Sequence, residues 1–439
     1  MVKRITFIAT KMQDSNWYKY HPRLSPYTLE VLAGQVPEGW EPRIVDENIR
    51  SINMSDTDLA AITVPTAAAP RAYEIASEFR ERGVPSLLGN IHPSILPDEA
   101  RKYGTVVAGE AVNILPRVLK DFENNRLQPY YYGGQGSLNS KFPRFDLAKD
   151  RYDINLVQYS SGCEGTCEFC SCGITSGHTR RHKSHQRFVD EVNYCGGKMV
   201  FIADDNFLGY RKEDREDVKA LLRKVKDETS AKFSAQVTVD FAKDNELLKL
   251  AADCGFVNVL IGFDALDTAT LKEAGKFVNY KVNYRDVIRK LHDSGITVCG
   301  TLIYGFDSHT KKVFPTTKAF VKDSGIDAAR FEILTPFPGT RTEERFRTEN
   351  RIFRNNYPDD WKLYNCTNVV YHPKNMTPEE LEAGTLDSII ETSNPLQSCV
   401  RAFRSLLNTR SIYGSGGSLW LNNAIGLHAR DRLRSKSAR

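Results

Sequence analysis

Short apolar runs recur along the first 125 residues, each followed by a stretch in which apolar positions return every three or four residues. The runs Arg4–Thr10, Pro42–Asp46, Leu59–Val64, Pro85–Gly89 and Thr105–Gly109 read as strands. Tyr27–Gln35, Ala72–Arg82 and Asn113–Glu123 carry the period of amphipathic helices. Regular strand–helix alternation predicts an α/β fold. For residues 1–125 it predicts a doubly wound, Rossmann-like parallel sheet with a ligand crevice at the carboxyl ends of its strands. Residues 126–152, including PYYYGGQGSLNSKFPRFD, have no period and read as a linker.

Alternation resumes over residues 153–344. Strands are expected at Ile154–Tyr159, Lys198–Ala203, Phe233–Val239, Val257–Phe263, Thr297–Tyr304 and Ala328–Leu334. Helices are expected between them, among them Arg215–Thr229, Asp244–Cys254 and Tyr284–Ser294. Six βα units in succession predict a partial (β/α)6 barrel of the TIM type, with its active site on the loops after the strands. Residues 345–439 lose the alternation and read as a mainly helical extension, with helices at Thr377–Ser393 and Ser398–Leu407. The ending HARDRLRSKSAR reads as a solvated basic tail.

The 439 residues supply ample apolar material for large cores, and the net charge of +5 is too mild and unclustered to call for nucleic acid. No apolar run is long enough to span a bilayer, and the start reads as a strand, so a cytoplasmic protein without a transmembrane segment is expected. Nine cysteines without secretory features make a disulfide framework a poor expectation. Three of them fall within eight residues and need a chemical reason.

That reason lies in SSGCEGTCEFCSCG, directly after the first strand of the second unit. Cys163, Cys167 and Cys170 stand at C-x3-C-x2-C on a loop lightened by Gly162 and Gly165. Three thiolates so spaced can bind three irons of a cubane and leave the fourth open to substrate. A zinc site that borrows Cys172, with His178 nearby, is the bland alternative, but structural zinc prefers two separated ligand pairs.

With Phe169 in the aromatic slot, the motif resembles the C-x3-C-x-aromatic-C signature of the radical S-adenosylmethionine (SAM) superfamily. The resemblance implies a [4Fe-4S] cluster whose open iron is chelated by SAM. It further implies cleavage of SAM to a 5′-deoxyadenosyl radical that abstracts hydrogen from an unreactive carbon, and a reductant such as flavodoxin or ferredoxin. Further SAM contacts are expected at strand ends. Asp204 and Asp205, in ADDN after the second strand, would receive the amino group, although a helix cap explains such residues equally well. Gln236 and Thr238 follow on the third strand and Asp264 ends the fourth. Gly300 and Ile303 lie on the fifth, where the resemblance implies an approach of adenine to the backbone. In HTRRHKSHQR, Arg180 or Arg181 would clamp a carboxylate, or the segment is a solvated loop.

Ahead of the barrel, VDEN (45–48), APRAY (69–73), GNIHP (89–93), LPDEA (96–100) and GEA (109–111) resemble the cobalamin-binding-type domain of B12-associated radical SAM enzymes. The resemblance implies a cobalamin site with Gly89, Asn90 and His92 as candidates. The first βα loop, however, has no D-x-H-x-x-G, and Asn90 stands where relatives have glycine. Bound cobalamin and an empty scaffold both remain open. The reading reached is a radical SAM enzyme acting on an unactivated carbon of a small-molecule, lipid or pigment-like metabolite, with methylation through cobalamin first. Its alternative is cobalamin-independent hydroxylation, C–C bond or ring formation, or dehydrogenation. A zinc-stabilised binding protein stands at a distance behind both. Tyr357, Trp361, Tyr364 and Tyr371 would form either a lid or a small core.

Overall fold

The computed structural model describes residues 2–12, 17–148 and 152–437. Two six-stranded parallel sheets dominate it. The first contains β1 (Lys3–Ala9), β2 (Trp40–Asp46), β3 (Leu59–Thr63), β4 (Ser86–Gly89), β5 (Thr105–Ala108) and β6 (Tyr130–Tyr132), in the order β2-β1-β3-β4-β5-β6. Its central strands β3, β4 and β5 are near-continuous apolar runs because helices cover both faces, as a parallel sheet requires. The chain winds one way from β1 to β2 and the other way from β3 onward. The switch point between β1 and β3 opens a crevice at the strand ends.

The second sheet contains β7 (Asn155–Val157), β10 (Met199–Ile202), β11 (Lys232–Val237), β12 (Phe256–Asp264), β13 (Thr297–Tyr304) and β14 (Ala328–Ile333), in strict sequential order. This is the expected partial barrel. Between β7 and β10 a two-residue ribbon, β8 (Ser160–Ser161) with β9 (Arg181–His182), brackets the cysteine loop. On β11, Phe233, Ala235 and Val237 enter the hydrophobic core while Gln236 between them is exposed, so the inner face of the barrel is open to solvent.

Three expectations change. Tyr130–Tyr132, inside the stretch read as a linker, pairs with β5 as an edge strand. Three residues between Pro129 and Gly133 are too few to show a period. The strand expected through Tyr159 stops at Val157, because the chain turns there into the ribbon. The basic ending is no solvated tail: a helix runs Ile412–Ser437, Ala429 is buried, Asp431 accepts a hydrogen bond from Tyr20, and Arg432 pairs with Glu382 at 2.6 Å.

The two sheets are joined across a polar seam. The segment beside Leu24 bridges Ile154 just before β7, extending the second sheet with residues that precede the first sheet's second strand. Tyr27 donates to Glu191 (2.8 Å), which also pairs with Lys183 at 2.7 Å, all three buried. Arg181 pairs with Glu110 beyond β5, donating from Nη1 at 2.9 Å. Such buried pairs are costly to break singly because the remaining charge is left without water or partner.

Glu30 lies against the same seam, buried, with Oε2 lacking a hydrogen-bond partner. Burial, with the nearby Asp146 and Glu191 carboxylates, pushes its pKa from 4.5 up to about 8. The folded protein therefore holds a proton that the unfolded chain releases near pH 4.5, and stability falls as pH rises through this window. Glu30→Gln is expected to flatten that slope in denaturant titrations and to exceed wild type in stability at pH 9. A wild-type slope identical to that of the variant would contradict the assignment.

Candidate active site

The cysteine loop is anchored by carboxylates at the end of β10. Asp204 is buried and accepts the Tyr159 N–H (2.7 Å), the Ser160 N–H (2.8 Å) and the Ser160 hydroxyl (2.5 Å). Asp205 accepts the Gly162 N–H at 3.0 Å. Gly162 has φ +95°, and a Cβ there would lie 2.3 Å from the Thr179 carbonyl oxygen, so only glycine fits. The loop then closes through Cys163 N–H to Gly177 O and Glu168 N–H to Ala274 O, both 3.0 Å.

Cys163, Cys167 and Cys170 are unpaired and half-buried. Among the described residues no three His, Cys, Asp or Glu side chains converge on one ion. A cubane asks for something else, one thiolate at each of three irons, and three separated thiols on one loop fit it. Burial raises Cys163 and lifts Cys167 to about 11. Cys170 is lowered to about 7, first through a hydrogen bond with Cys172, whose own thiol is driven up. The two thiols share a hydrogen bond, which favours one thiolate between them over two.

The SAM candidates divide. Asp204 spends both oxygens on the backbone of residues 159–160 and shapes the loop. Asp205 faces the large cavity described below. Gln236 stands in the open inner face, and Thr238 is buried with an unpartnered hydroxyl, as are both amide atoms of Asn206. Buried polar atoms without partners are those available to a ligand, and these three lie at the ends of β10 and β11. Asp264, at φ +61° on a β-bulge, pairs with Lys276 at 3.0 Å. Ile303 and Asp264 border a smaller cavity of about 270 Å³ beside His309. Gly300 does not offer its backbone to that space: a Cβ there would meet Ile326 and Phe263 at 2.4 and 2.7 Å, so its role is close packing on the core side. Phe169 packs edge-on against Phe306, which follows β13.

The basic segment is committed to structure. Arg180 is buried between Asp214 (3.4 Å) and Asp217 (3.6 Å), and Arg181 is held by Glu110. Neither is free to clamp a carboxylate. Sequence reasoning missed Lys276 and Tyr210. Lys276 Nζ lies beside Asp264; burial works against its charge, but Asp264, Cys167 and Tyr210 outweigh burial and raise its pKa. Tyr210 hydrogen-bonds to Cys163, and its hydroxyl lies 3.0 Å from where a Cβ on Gly165 would stand. A lone Lys after a short helix and a Tyr eight residues past a strand carry no local signal.

A cavity of about 440 Å³ joins the two sheets. Leu29, Ala61, Leu87 and Val107 wall it on the first-sheet side, and Cys172 and Asp205 border it on the barrel side. Gly89 and Asn90 line it. Asn90 has φ +95° and turns its Oδ1 onto the Ile91 N–H (2.6 Å), capping its own helix rather than crossing the space. His92 is elsewhere: fully buried, with Nε2 3.0 Å from Glu99 and its ring centre 5.1 Å from that of Trp361. Tyr357 stacks on Trp361 at 3.7 Å, and Tyr364 and Tyr371 are buried, so these aromatics form a small core, not a lid.

A family model described as the radical SAM superfamily matches residues 157–321. An uncharacterized methyltransferase from Synechocystis is 27% identical over 75% of this chain and 64% of its own length. Bacteriochlorophyllide d C-8(2)-methyltransferase from Chlorobaculum tepidum is 28% identical over 83% of this chain and 84% of its own. Hopanoid C-2 methylase from Rhodopseudomonas palustris is 25% identical over 75% and 65%. The chain thus spans just under two thirds of two of these relatives. Among solved structures, the radical SAM methyltransferase TsrM from Kitasatospora setae, with cobalamin and a [4Fe-4S] cluster bound, superposes with a TM-score of 0.69. It shares 16% identity over 98% of this chain and all of its own, which establishes the shared fold. The radical SAM superfamily model matches the stretch that carries the three-cysteine loop and most of the six-strand parallel sheet, so this chain contains a radical SAM domain and is similar in sequence to methyltransferases.

Proposed function

We propose that the protein is a cobalamin-dependent radical SAM enzyme that methylates an unactivated carbon of a hydrophobic polycyclic metabolite. The observation that carries this reading is the cavity of about 440 Å³ running from the switch-point face of the first sheet to Cys172 and Asp205 beside the cluster loop. A corrinoid bound there would lie between the first sheet and the cluster loop. Its deep wall is apolar, and Asn90 caps its own helix rather than crossing the space. No histidine lines it among the described residues, so the first-sheet wall would hold a corrinoid by shape rather than by an imidazole on cobalt. Two relatives, by name, act on a bacteriochlorophyllide and a hopanoid, both hydrophobic polycycles.

When bound, the cluster would supply the electron that cleaves SAM, and the corrinoid the methyl group. The chain's own residues set the stage for both. Cys163, Cys167 and Cys170 would hold the cluster, and Asp204 and Asp205 pin the loop that carries them. Thr238, Gln236 and the Asn206 amide stand where SAM's polar groups would need partners. Lys276 keeps the Asp264 carboxylate neutralised in a buried place and sets a fixed positive charge beside Cys167.

Anaerobic reconstitution should give about four irons per chain, and hydroxocobalamin should add one corrinoid by its visible absorbance. Cys167→Ala should lose the cluster and all 5′-deoxyadenosine formation. Ala61→Trp, which fills the cavity wall, should keep iron and SAM cleavage but bind no corrinoid. Corrinoid binding undiminished in Ala61→Trp would defeat the cavity assignment, and no corrinoid binding by wild type would defeat methylation by this route.

Lys276→Met would leave Asp264 as a buried unpaired carboxylate, at a cost of about 3–5 kcal/mol in denaturant unfolding. The double variant Lys276→Met/Asp264→Leu should recover most of it. Equal stability of the single variant and wild type would show that the pair does not carry this burial.

A further inference from the structure

The helix Pro395–Thr409 is built inside out. The residues it turns toward the protein are Ser398, Arg401, Ser405 and Thr409, all buried. Those it turns to solvent are Leu396, Val400, Phe403 and Leu407, spaced four, three and four apart on one face. Leu396 is 72% exposed, Phe403 64% and Leu407 63%. The stripe continues into the next helix through Ile412 and Tyr413, at 78% and 72%. A surface helix in water shows the opposite arrangement. The inward polar face is tied down at Arg401, whose Nη2 donates to Asn422 (2.9 Å) and to the Thr392 carbonyl, while Asn422 donates to the Asp327 carbonyl (2.7 Å). The helix is therefore locked with its apolar face outward and cannot roll it in.

Charge identifies what this face meets. Residues 395–439 carry eight Lys and Arg against one acid, Asp431, in a chain whose total is +5; Arg401 is turned inward and Arg432 pairs with Glu382, which leaves a basic excess at the surface. Arg404 and Arg410 are exposed beside the apolar stripe. A second copy docked on this face across a two-fold axis would bring these cations against their own counterparts, which an isologous contact does not tolerate without counter-ions. An anionic lipid surface supplies both what the stripe and what its rim require. At 15 residues the helix is about 22 Å long, and among the described residues no helix is long and apolar enough to cross a membrane. The geometry is that of a helix lying in the interface.

We propose that the Pro395–Thr409 helix and the start of the one after it form an anionic-membrane docking face, with Leu396, Phe403, Leu407, Ile412 and Tyr413 entering the bilayer surface and Arg404 and Arg410 meeting lipid phosphates. This stands apart from the methyl-transfer reading: it would hold for any reaction of the barrel.

The test is sedimentation of the full-length, cluster-loaded protein with vesicles of phosphatidylcholine and phosphatidylglycerol, against vesicles of phosphatidylcholine alone. Binding should favour the anionic vesicles, weaken with salt, and fall at least about tenfold in Phe403→Glu/Leu407→Glu, with iron content and SAM cleavage in solution retained. Arg404→Glu/Arg410→Glu, which leaves the stripe intact, should weaken binding as well and guards against misfolding of the first variant. Failure of wild type to bind anionic vesicles overturns the proposal. So does binding unaltered in both variants, or a concentration-dependent dimer in light scattering that the first variant abolishes.

Discussion

One carboxylate at the end of β10 does more to set this active site than any thiol. Asp204 is buried under the turn where the chain leaves the first barrel strand, and it satisfies two backbone N–H groups and a hydroxyl there. A buried turn of this kind would otherwise leave donors without partners, at about 1–3 kcal/mol each. Burial raises Asp204 to about 6, against the pull of those same hydrogen bonds. With Asp205 holding Gly162 one residue further on, the loop has a defined exit from the sheet. The cysteines follow from a fixed point rather than from a free strand end.

The second dependence is between the sheets. The ribbon strand Arg181–His182 leads from the cysteine loop into residues bound across the seam: Arg181 to Glu110 beyond β5, and Lys183 to Glu191 and Tyr27. The large cavity lies between these attachments, with its walls drawn from both sheets. Its shape is therefore a property of the seam, and a group bound in it would contact the first sheet and the cluster loop together. The basic segment that carries the seam had two readings from sequence, substrate clamp or solvated loop. It is neither, because Arg180 and Arg181 have each found a carboxylate from an element distant in the chain, and Arg187 one on its own helix.

What could be read from the sequence was what repeats or clusters. Both sheets showed in their apolar periods, and the cluster loop showed in three cysteines and a glycine. What escaped was set by tertiary contact. Tyr130–Tyr132 is strand because β5 offers an edge, not because three tyrosines have a period. Lys276 matters only because Asp264 and Cys167 fold beside it. His92 keeps the sequence context of a cofactor loop, yet its ring turns into the small aromatic core around Trp361. Gly300 is required by Phe263 and Ile326, not by a ligand. The terminal basic residues form helix because Tyr20, Asn368 and Glu382 wait for them.

The proposed function rests on three thiolates that hold a cluster with one iron open to SAM. Electron–nuclear double resonance on the reduced protein, with SAM labelled by nitrogen-15 at the amino group and oxygen-17 at the carboxylate, reads that contact directly. The account predicts couplings from both labels to the cluster, present in wild type and unaltered by Ala61→Trp. A cluster spectrum that ignores the labels, with SAM demonstrably bound, would contradict it.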